Sequence, residues 1–372
     1  PVIRISNIDK QSISFKENTV YLRASSIQER MKPYQAYKGD ILMAMTGEPG
    51  KYGQYQFDSP AFINQRVGCF RIKDNERIAS DFLYQVLSSI TTAVLNYAYG
   101  GAQLNISSAD IEAHCIPLPP LPEQKKIAAI LSSVDDAIRS TQAVIDQART
   151  LKKGLLGQLL TRGIGHKKFK QTEIGEIPVE WEVKTLGDVA DTFSGGTPSR
   201  TVPEYYGGSI PWVKSGELNQ TYVHQTEEKL TELGLKNSSA RMVPRDSVVL
   251  AMYGATAGVV GVLKIEAAIN QAVLAFIPKP TLDSGYLLYA VQQATTVLLC
   301  SIQGSGQPNL SGEIIRSHSI PLPPLPEQKQ IAEILSGVDA VIRQNGDQVE
   351  QLKRTKAGLM QDLLTGRKRV AV

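Results

Sequence analysis

The sequence has few of the features that mark membrane, secreted or metal-dependent proteins. It contains no run of about eighteen apolar residues that could cross a bilayer, and its first residues do not resemble a secretory signal peptide. Its three cysteines and four histidines are scattered, without CxxC or HxxxH spacing. We therefore expect a soluble, cytoplasmic protein with no disulfide framework, no metal site and no cofactor.

Motifs that bind nucleotide phosphates are also missing. A translocating motor requires GxxxxGK[ST], in which backbone amides and the lysine hold the phosphates. The nearest stretch, residues 47–52, lacks both the spacing and the hydroxyl. No clustered carboxylates stand out as ligands for a nuclease metal, so we predict that the chain is not an enzyme.

The charge is only mildly basic, at +4 with a sequence pI near 8.8. Seven lysines and arginines and no acidic residue lie between positions 149 and 170, and a second basic cluster covers residues 353–369. Such clusters either solvate the last turns of helices or contact the phosphates of a polyanion. The sequence leaves both explanations open.

What the sequence does contain is a long internal repeat. The segment PLPPLPEQKKIAAILSSVDDAIR begins at Pro117 and returns as PLPPLPEQKQIAEILSGVDAVIR from Pro321, a period of 204 residues. Upstream, Asn64-Gln65 corresponds to Asn270-Gln271. A chain of 372 residues can hold two domains of ordinary size. We infer two copies of one module, each a variable globular part followed by a nearly constant helix.

A long helix is predicted after each proline-rich segment. Pro122 would occupy the first turn, where a helix tolerates proline, directly before Glu123 and Gln124. From Ile127 and Ile331, apolar residues then keep a heptad spacing for about five heptads. At about 1.5 Å per residue, each helix should span roughly 55 to 60 Å.

The heptads place three apolar columns on each helix. Columns a and d are expected to form the seam between the helices, with Ile130, Val144, Leu151, Ile334 and Val341 among the d residues. A third column lies beside this seam and is available for other contacts. We assign a partner-docking surface to four of its members: Leu131, Ile138, Leu335 and Ile342. Covering a recognition domain is an equally good explanation of these four residues.

Connectivity predicts that the two helices run antiparallel. The first helix leaves one globular part and enters the other, and the second helix can bury the same face most simply by running back along the first. Thr141 and Asn345 are repeat-equivalent polar residues at a positions, where they either set the register or face solvent.

The globular parts consist of short β-prone runs separated by glycine-containing loops, with a helix toward the end. Strands are predicted near residues 1–5 and 40–45 of the first part and near residues 209–214 and 246–252 of the second. The loops at 46–53 and 253–261 follow in corresponding places.

Three features in combination resemble the specificity subunit of type I restriction-modification systems. They are the duplicated PLPPLPEQxxIA helix, the segment GEIPVEWEVKTLGDVADTFSGGTPSR at 175–200, and GSGQPNLS at 304–311. The resemblance covers essentially the whole chain. It implies that each variable part is a target recognition domain reading one half of a bipartite DNA site. It also implies that the helices separate these domains and dock two copies of a modification subunit, while methyl transfer and cleavage belong to partner subunits.

The expected fold is therefore α+β, with two mixed α/β recognition domains related by the repeat and separated by two long helices in an antiparallel coiled coil. The expected boundaries are 1–116 for the first domain, 117–163 for the first helix, 164–320 for the second domain, and 321–372 for the second helix with its basic tail. Because residues 172–211 have no counterpart before Pro1, the first domain is expected to be incomplete at its N-terminus.

The expected partners are double-stranded DNA, the modification subunits and, through the complex, restriction or translocase subunits, with no membrane partner. Sequence is read from base edges, chiefly in the major groove. The candidate readers of the first domain are Arg4, Asn7, Lys51, Tyr52, Gln103 and Asn105. Those of the second are Thr197, Arg200, Lys214, Glu217, Tyr253, Gln307 and Asn309. The two aligned Gln-x-Asn pairs are also consistent with capping a turn.

Two alternatives to a separate specificity subunit can be weighed on the sequence. A methyltransferase or nuclease fused to its own specificity portion would need a catalytic motif. For an adenine methyltransferase this is an Asn/Asp-Pro-Pro-aromatic loop that grips the flipped base, yet the only Pro-Pro pairs lie in Leu-Pro-Pro-Leu segments at 118–121 and 322–325. A coiled-coil scaffold without a role on DNA would not explain why the helix is nearly constant while the attached domains have diverged.

Overall fold

The computed structural model of the chain describes residues 1–9, 12–95, 105–219, 221–302 and 309–371. It forms two compact units, of which unit 1 comprises Pro1–Ala143 and Gly346–Val372 and unit 2 comprises Val144–Asn345. Each long helix is divided between the two units, so the domain boundaries expected from the repeat stay a prediction. Within the described ranges, no helix is long and apolar enough to cross a membrane.

Unit 1 is built from short strands, followed by helices. Its elements, ending with the long helix that continues into unit 2, are β1 (Val2–Ile3), β2 (Ile8–Asp9), β3 (Ser12–Ile13), β4 (Gln35–Ala36), β5 (Ile41–Ala44), β6 (Tyr52–Gln54), β7 (Ala61–Ile63), β8 (Val67–Phe70), α1 (Ser80–Leu95), α2 (Ser108–Glu112) and α3 (Leu121–Leu159).

Unit 2 repeats this plan with additional strands at its start. Its elements, ending with the long helix that continues into unit 1, are β9 (Phe169–Thr172), β10 (Gly175–Pro178), β11 (Glu182–Thr185), α4 (Leu186–Val189), β12 (Ala190–Ser194), β13 (Tyr206–Val213), β14 (Tyr222–Val223), β15 (Glu228–Leu230), α5 (Glu232–Lys236), β16 (Arg241–Val243), β17 (Val248–Ala251), β18 (Val260–Leu263), β19 (Ala267–Ile269), β20 (Val273–Pro278), α6 (Ser284–Ile302), α7 (Gly312–Ser317), β21 (Ser319–Leu322) and α8 (Leu325–Leu363).

The two units share one sheet topology. In unit 1, β7 pairs parallel with β1 and antiparallel with β4, and in unit 2, β19 pairs parallel with β13 and antiparallel with β16. In a second sheet, β5 lies between β6 and β8, as β17 lies between β18 and β20. The registers also correspond, since Ile3 lies opposite Ile63 and Val213 opposite Ile269. The predicted repeat of the globular parts and the four predicted strands, now β1, β5, β13 and β17, are confirmed.

The central strands are apolar at every position because both of their faces are buried. In β5, Ile41 and Met43 pack with helix α1, whereas Leu42 and Ala44 pack in a separate cluster with residues of β1 and β7. Alternate side chains of a strand point to opposite faces of the sheet, so a strand covered on both sides reads as a continuous apolar run. The residues of β17 divide between two clusters in the same way.

The two long helices have equal length and equivalent ends. Each contains 39 residues, which corresponds to about 58 Å of helix. Pro122 lies in the first turn of α3, as predicted. In both units the apolar face of the long helix packs against the longer of the two helices that precede it, α1 in unit 1 and α6 in unit 2.

Within each unit, the paired halves of α3 and α8 run antiparallel. In unit 1, Asp135 of α3 contacts Lys356 of α8 at 2.7 Å, and Glu123 contacts Arg369 beyond the end of α8. In unit 2, Lys152 contacts Asp339 at 2.7 Å. As the residue number increases along α3, the number of the contacting residue at α8 decreases, which confirms the predicted antiparallel direction.

The two lysine–aspartate pairs occupy repeat-equivalent positions. Lys152 corresponds to Lys356 and Asp135 to Asp339, so each pair takes one residue from each copy of the repeat. All four side chains are at most 18% exposed. A buried charge without its partner is strongly destabilising, so these pairs fix how the two helices are aligned.

The polar residues at a positions do not serve this purpose. The Thr141 hydroxyl donates to the carbonyl of Ala137 on its own helix at 2.8 Å. The Asn345 amide donates to the carbonyl of Val341, also on its own helix, at 2.8 Å. The register is therefore set by the lysine–aspartate pairs, which the heptad pattern did not single out.

Candidate nucleic-acid interface

In unit 2, two of the predicted DNA-reading residues meet at the turn between β19 and β20. The hydroxyl of Thr197 donates to the Gln271 side-chain carbonyl at 2.6 Å, and the hydroxyl of Tyr253 donates to the backbone carbonyl of Gln271. Gly195 packs directly on β19, where a Cβ atom would lie 1.8 Å from the carbonyl oxygen of Ile269. Glycine is therefore required for this loop to approach the turn. The resulting cluster is exposed and uncharged.

Gln271 was missed as a candidate by the sequence analysis. Asn64-Gln65 and Asn270-Gln271 were recognised as repeat-equivalent, and that match was the available signal. In the structure, both pairs lie in the turn that joins the central strand of one sheet to the next strand, β7 to β8 and β19 to β20. A turn residue has no periodicity from which its orientation could be predicted.

Arg200 and Lys214, also predicted readers, are held by one carboxylate. Arg200 lies 2.6 Å from Glu228 and stacks over the rings of Tyr206 and Trp212, at 4.4 and 5.4 Å. Lys214 lies 2.9 Å from the same carboxylate. The hydrogen bonds from Arg200 and then Lys214 lower the pKa of Glu228 to about 2. Glu228 therefore remains ionised at neutral pH and neutralises this part of the surface.

Glu217 has a structural role next to this group. Its carboxylate accepts hydrogen bonds from the backbone N–H groups of Lys214 and Glu227, each at 2.7 Å. Both oxygens of the carboxylate are thus occupied by the backbone, which shapes the loop that carries Lys214.

The equivalent surface of unit 1 is an open pocket of about 340 Å³. It is lined by Arg4, Ile5, Ser6, Asn64 and Arg66. The Asn64 side-chain carbonyl accepts from the backbone N–H of Arg66 at 2.9 Å, which tightens the turn. Arg4 was predicted as a reader, whereas Arg66 was not.

Lys51 and Asn105 flank the loop after β5. Lys51 pairs with Glu48 at 3.2 Å, and Asn105 forms a β-bridge with Thr46. The following residue, Ile106, donates to the Met45 carbonyl at 2.9 Å.

The same arrangement recurs in unit 2, where Leu310, the residue after the exposed Asn309, donates to the Met252 carbonyl at 2.9 Å. Gln103 and Gln307 lie outside the described residues, so the role of the Gln-x-Asn pairs stays a prediction.

Asn7 and Tyr52 are buried, which corrects their assignment as readers. Asn7 is 2% exposed and donates to the Ser14 carbonyl and the Thr19 hydroxyl, each at 3.1 Å. Tyr52 is 7% exposed and packs 4.9 Å from the ring of Tyr84. Burial raises the pKa of Tyr52 to about 12. Neither side chain is accessible to a base edge.

The predicted docking residues of the long helices are also more buried than expected. Leu131 and Leu335 are fully buried in the cores of units 1 and 2, and Ile138 and Ile342 are half-buried. Column a and this third column face the core of each unit, because α1 and α6 pack on the third column. The exposed column is d, whose most accessible apolar members are Val144, Leu151, Ile334 and Val341, at 41–55% exposure.

Gln124 at the start of α3 connects that helix to α1. Its amide donates to the carbonyls of Arg77 and Pro119 at 2.7 and 2.8 Å, and its carbonyl accepts from the N–H of Ala79 at 2.9 Å. The side chain is fully buried. Both of its N–H donors and its carbonyl oxygen therefore bond at the junction between the globular part and the long helix.

Gln328 makes the same three contacts at the start of α8. It donates to Thr281 and Pro323 at 3.0 and 2.8 Å and accepts from Asp283 at 2.8 Å. Each partner is the repeat equivalent of a partner of Gln124. This glutamine clamp, formed by Gln124 and Gln328, gives the shared glutamine of the two PEQ segments the same structural role in both copies.

The preceding glutamates differ in their surroundings. Glu327 accepts from Trp181 Nε1 at 2.8 Å, from the backbone N–H of Ile164 at 2.9 Å, and contacts His166 Nε2 at 2.9 Å. Glu123 is paired with Arg369, whose guanidinium and the neighbouring backbone lower the pKa of this carboxyl. Arg369 is largely exposed.

Comparison with known proteins agrees with this geometry. The family model described as the type I restriction modification DNA specificity domain matches residues 3–149 and 178–354. A putative type I restriction enzyme MjaX specificity subunit from Methanocaldococcus jannaschii is 28% identical over 381 residues, covering 100% of this chain and 87% of that protein. The MjaVIII specificity subunit of the same organism is 34% identical over 276 residues, covering 68% of this chain and 62% of that protein.

A solved structure is similar in fold. The crystal structure of a type I restriction-modification S subunit from M. genitalium matches with a TM-score of 0.57 and 17% identity, over 88% of this chain and 83% of that one. The family model matches once in each half of the chain, as the two units with one topology require. The chain belongs to the type I restriction-modification DNA specificity family.

Proposed function

We propose that each unit of this chain reads one half of a bipartite DNA target. The observation that carries the proposal is the contrast between conserved framework and divergent loops. The strands, the glutamine clamp and the lysine–aspartate pairs are equivalent in the two units. The loops after β5 and β17, by contrast, differ in sequence, with TGEPGKYG at 46–53 and YGATAGVVG at 253–261, and Arg66 stands where unit 2 has Ala272. Two different half-sites would require such divergence, whereas one repeated half-site would not.

The chain would contribute recognition without chemistry. Its relatives are named specificity subunits, and we place methyl transfer and DNA cleavage on separate modification and restriction subunits. In the part of the chain that the structure describes, no group of three His, Cys, Asp or Glu side chains is arranged to hold a metal ion.

Exchanging residues 172–320 for those of a family relative is expected to change one half of the selected DNA sequence and leave the other half unaltered. The readout is selection of duplexes from a random pool by the chain bound to its modification subunit. The exchanged segment lies between α3 and α8, so the junctions with both long helices remain. An unchanged consensus, from a chimaera that still unfolds cooperatively and binds the modification subunit, would contradict the assignment.

The exposed d column is our proposed docking surface for the modification subunit. In unit 2 it presents Val144 and Leu151 from α3 and Ile334 and Val341 from α8. Apolar side chains repeated at heptad spacing on a long helix match a partner's helical face. The equivalent positions of unit 1 hold Ile130, Ala137, Gln348 and Thr355, which are less apolar. We propose one modification subunit for each unit, with tighter binding at unit 2.

The Ile334→Asp variant is expected to lose one of two modification subunits while keeping its fold. A carboxylate in an apolar contact must be desolvated, so the bound state loses affinity and the free chain does not. Native mass spectrometry of the complex measures the copy number. Ala340→Asp, an exposed position of the same helix outside the d column, is the matched control and should retain both copies. Loss of both copies from Ile334→Asp, or of neither, would argue against two separate sites.

A further inference from the structure

The structure assigns to Arg4, Asn64 and Arg66 of unit 1 a binding site for a DNA backbone phosphate, which we call the phosphate clamp. This inference rests on the proposed function and goes beyond it in two respects. It makes Arg4 a contact that positions the protein instead of one that reads a base, and it adds Arg66. It also makes the two units unequal in their dependence on salt.

The topology identifies the equivalent positions in unit 2. Because Ile3 and Val213 occupy the same place in parallel strand pairs, Arg4 corresponds to Lys214. Arg66 corresponds to Ala272, since the carbonyl of each accepts a hydrogen bond from the equivalent methionine N–H, at 2.9 Å in unit 1 and 2.8 Å in unit 2. The second unit therefore has one cation where the first has two.

The one cation at these positions in unit 2, Lys214, is neutralised by a carboxylate, whereas the two cations of unit 1 are not. Lys214 is paired with Glu228, which lies opposite Trp212 in the sheet. In unit 1 the equivalent strand position faces Val20, whose carbonyl accepts from the N–H of Val2 at 2.7 Å. Valine stands where the acidic residue would be. Among the described residues, no carboxylate lies within ion-pairing distance of Arg4 or Arg66.

The pocket presents hydrogen-bond donors to its ligand. Both guanidinium groups are donors only, and the side-chain carbonyl of Asn64 is already used by the N–H of Arg66, which leaves its amide group. Two positive charges with an amide donor suit a ligand that carries negative charge and only acceptors. A phosphodiester has these properties, and arginine binds phosphate with short, charge-assisted hydrogen bonds. Base edges in the major groove carry no net charge, and those of adenine and cytosine present donors, whereas those of guanine and thymine present only acceptors.

The test compares Arg66→Ala and Arg4→Ala/Arg66→Ala with the parent chain on a selected and on an unrelated duplex, over a range of salt concentrations. Arg66→Ala installs the residue of unit 2. For a phosphate clamp, both duplexes should be bound more weakly by the same factor, without a change in consensus. The slope of log affinity against log salt should fall by about 0.9 for the single and about 1.8 for the double variant.

Two further variants distinguish the alternatives. Arg4→Lys, which installs the residue of unit 2 and keeps the charge, should retain most of the affinity at a phosphate but not at a bidentate guanine contact. Arg139→Ala removes an exposed guanidinium from α3 in the same unit and should leave the slope unchanged. A consensus relaxed at one guanine in Arg66→Ala or in the double variant, or an unchanged salt slope in either of these two, would overturn the clamp. Failure of the parent chain to select any sequence would instead overturn the proposed function.

Discussion

The Glu327→Ala variant is expected to lower the free energy of unfolding of unit 2 by about 3–5 kcal/mol, the range seen when one partner of a buried charged group is removed. The Glu327 side chain is 13% exposed and accepts from Trp181 and Ile164 while contacting His166. Its removal strands these donors in the core at the start of α8. Each buried donor left without a partner costs the desolvation of that group.

Tryptophan fluorescence during denaturant unfolding measures this effect selectively. The chain has two tryptophans, and both Trp181 and Trp212 lie in unit 2. The matched control is Glu123→Ala at the repeat-equivalent position of unit 1. Because Arg369 is 68% exposed, its guanidinium can return to water, so the loss there should be smaller and is followed by circular dichroism. Equal losses in the two units would show that the contacts of Glu327 with the core add nothing.

The Leu335→Asp variant is expected to unfold unit 2, with a loss of more than about 4 kcal/mol. Leu335 is fully buried in a cluster with Tyr286 and Ile331. Aspartate there would place an unpaired carboxylate in an apolar core, and burial of an isolated charge is among the largest destabilising effects of a single substitution. Leu131→Asp should do the same to unit 1, since Leu131 is buried with Phe82 and Ile127.

The neighbouring Ile334→Asp variant is the control, because it introduces the same charge one residue away. Ile334 is 41% exposed, so its carboxylate would remain hydrated and the denaturation midpoint should be nearly unchanged. Tryptophan fluorescence and circular dichroism distinguish the two variants. A stable Leu335→Asp variant would mean that the third apolar column is accessible, as its assignment to partner docking requires.

The heptads illustrate how far the sequence could be used. The repeat predicted both long helices, their ends and their antiparallel direction, because these depend on local patterns and on connectivity. It did not predict which two of the three apolar columns are buried. That choice depends on α1 and α6, which pack on Leu131 and Leu335 from another part of the chain. An apolar column along one helix shows that the column is suited to burial, but it does not show which other element of the chain will cover it.

The interface residues were predicted in part for a related reason. Thr197 and Tyr253 were among the predicted readers, and they meet at Gln271. Asn7 and Tyr52 have residue types typical of DNA contacts but are buried, and burial of a single polar residue in a short strand or turn leaves no pattern in the sequence. Arg66 became notable only when the strand registers aligned it with Ala272.

The glutamine clamp has a consequence for how such proteins can acquire new targets. Gln124 and Gln328 bond only to backbone atoms, and the partners of one are the repeat equivalents of the partners of the other. A recombination event with a crossover in the nearly identical proline-rich segments would therefore join a foreign globular part to the old helix with every clamp hydrogen bond intact. Because these hydrogen bonds involve only backbone atoms of the globular part, they form whatever side chains the incoming loops carry. The stability of the junction is therefore independent of the DNA sequence that the new globular part recognises.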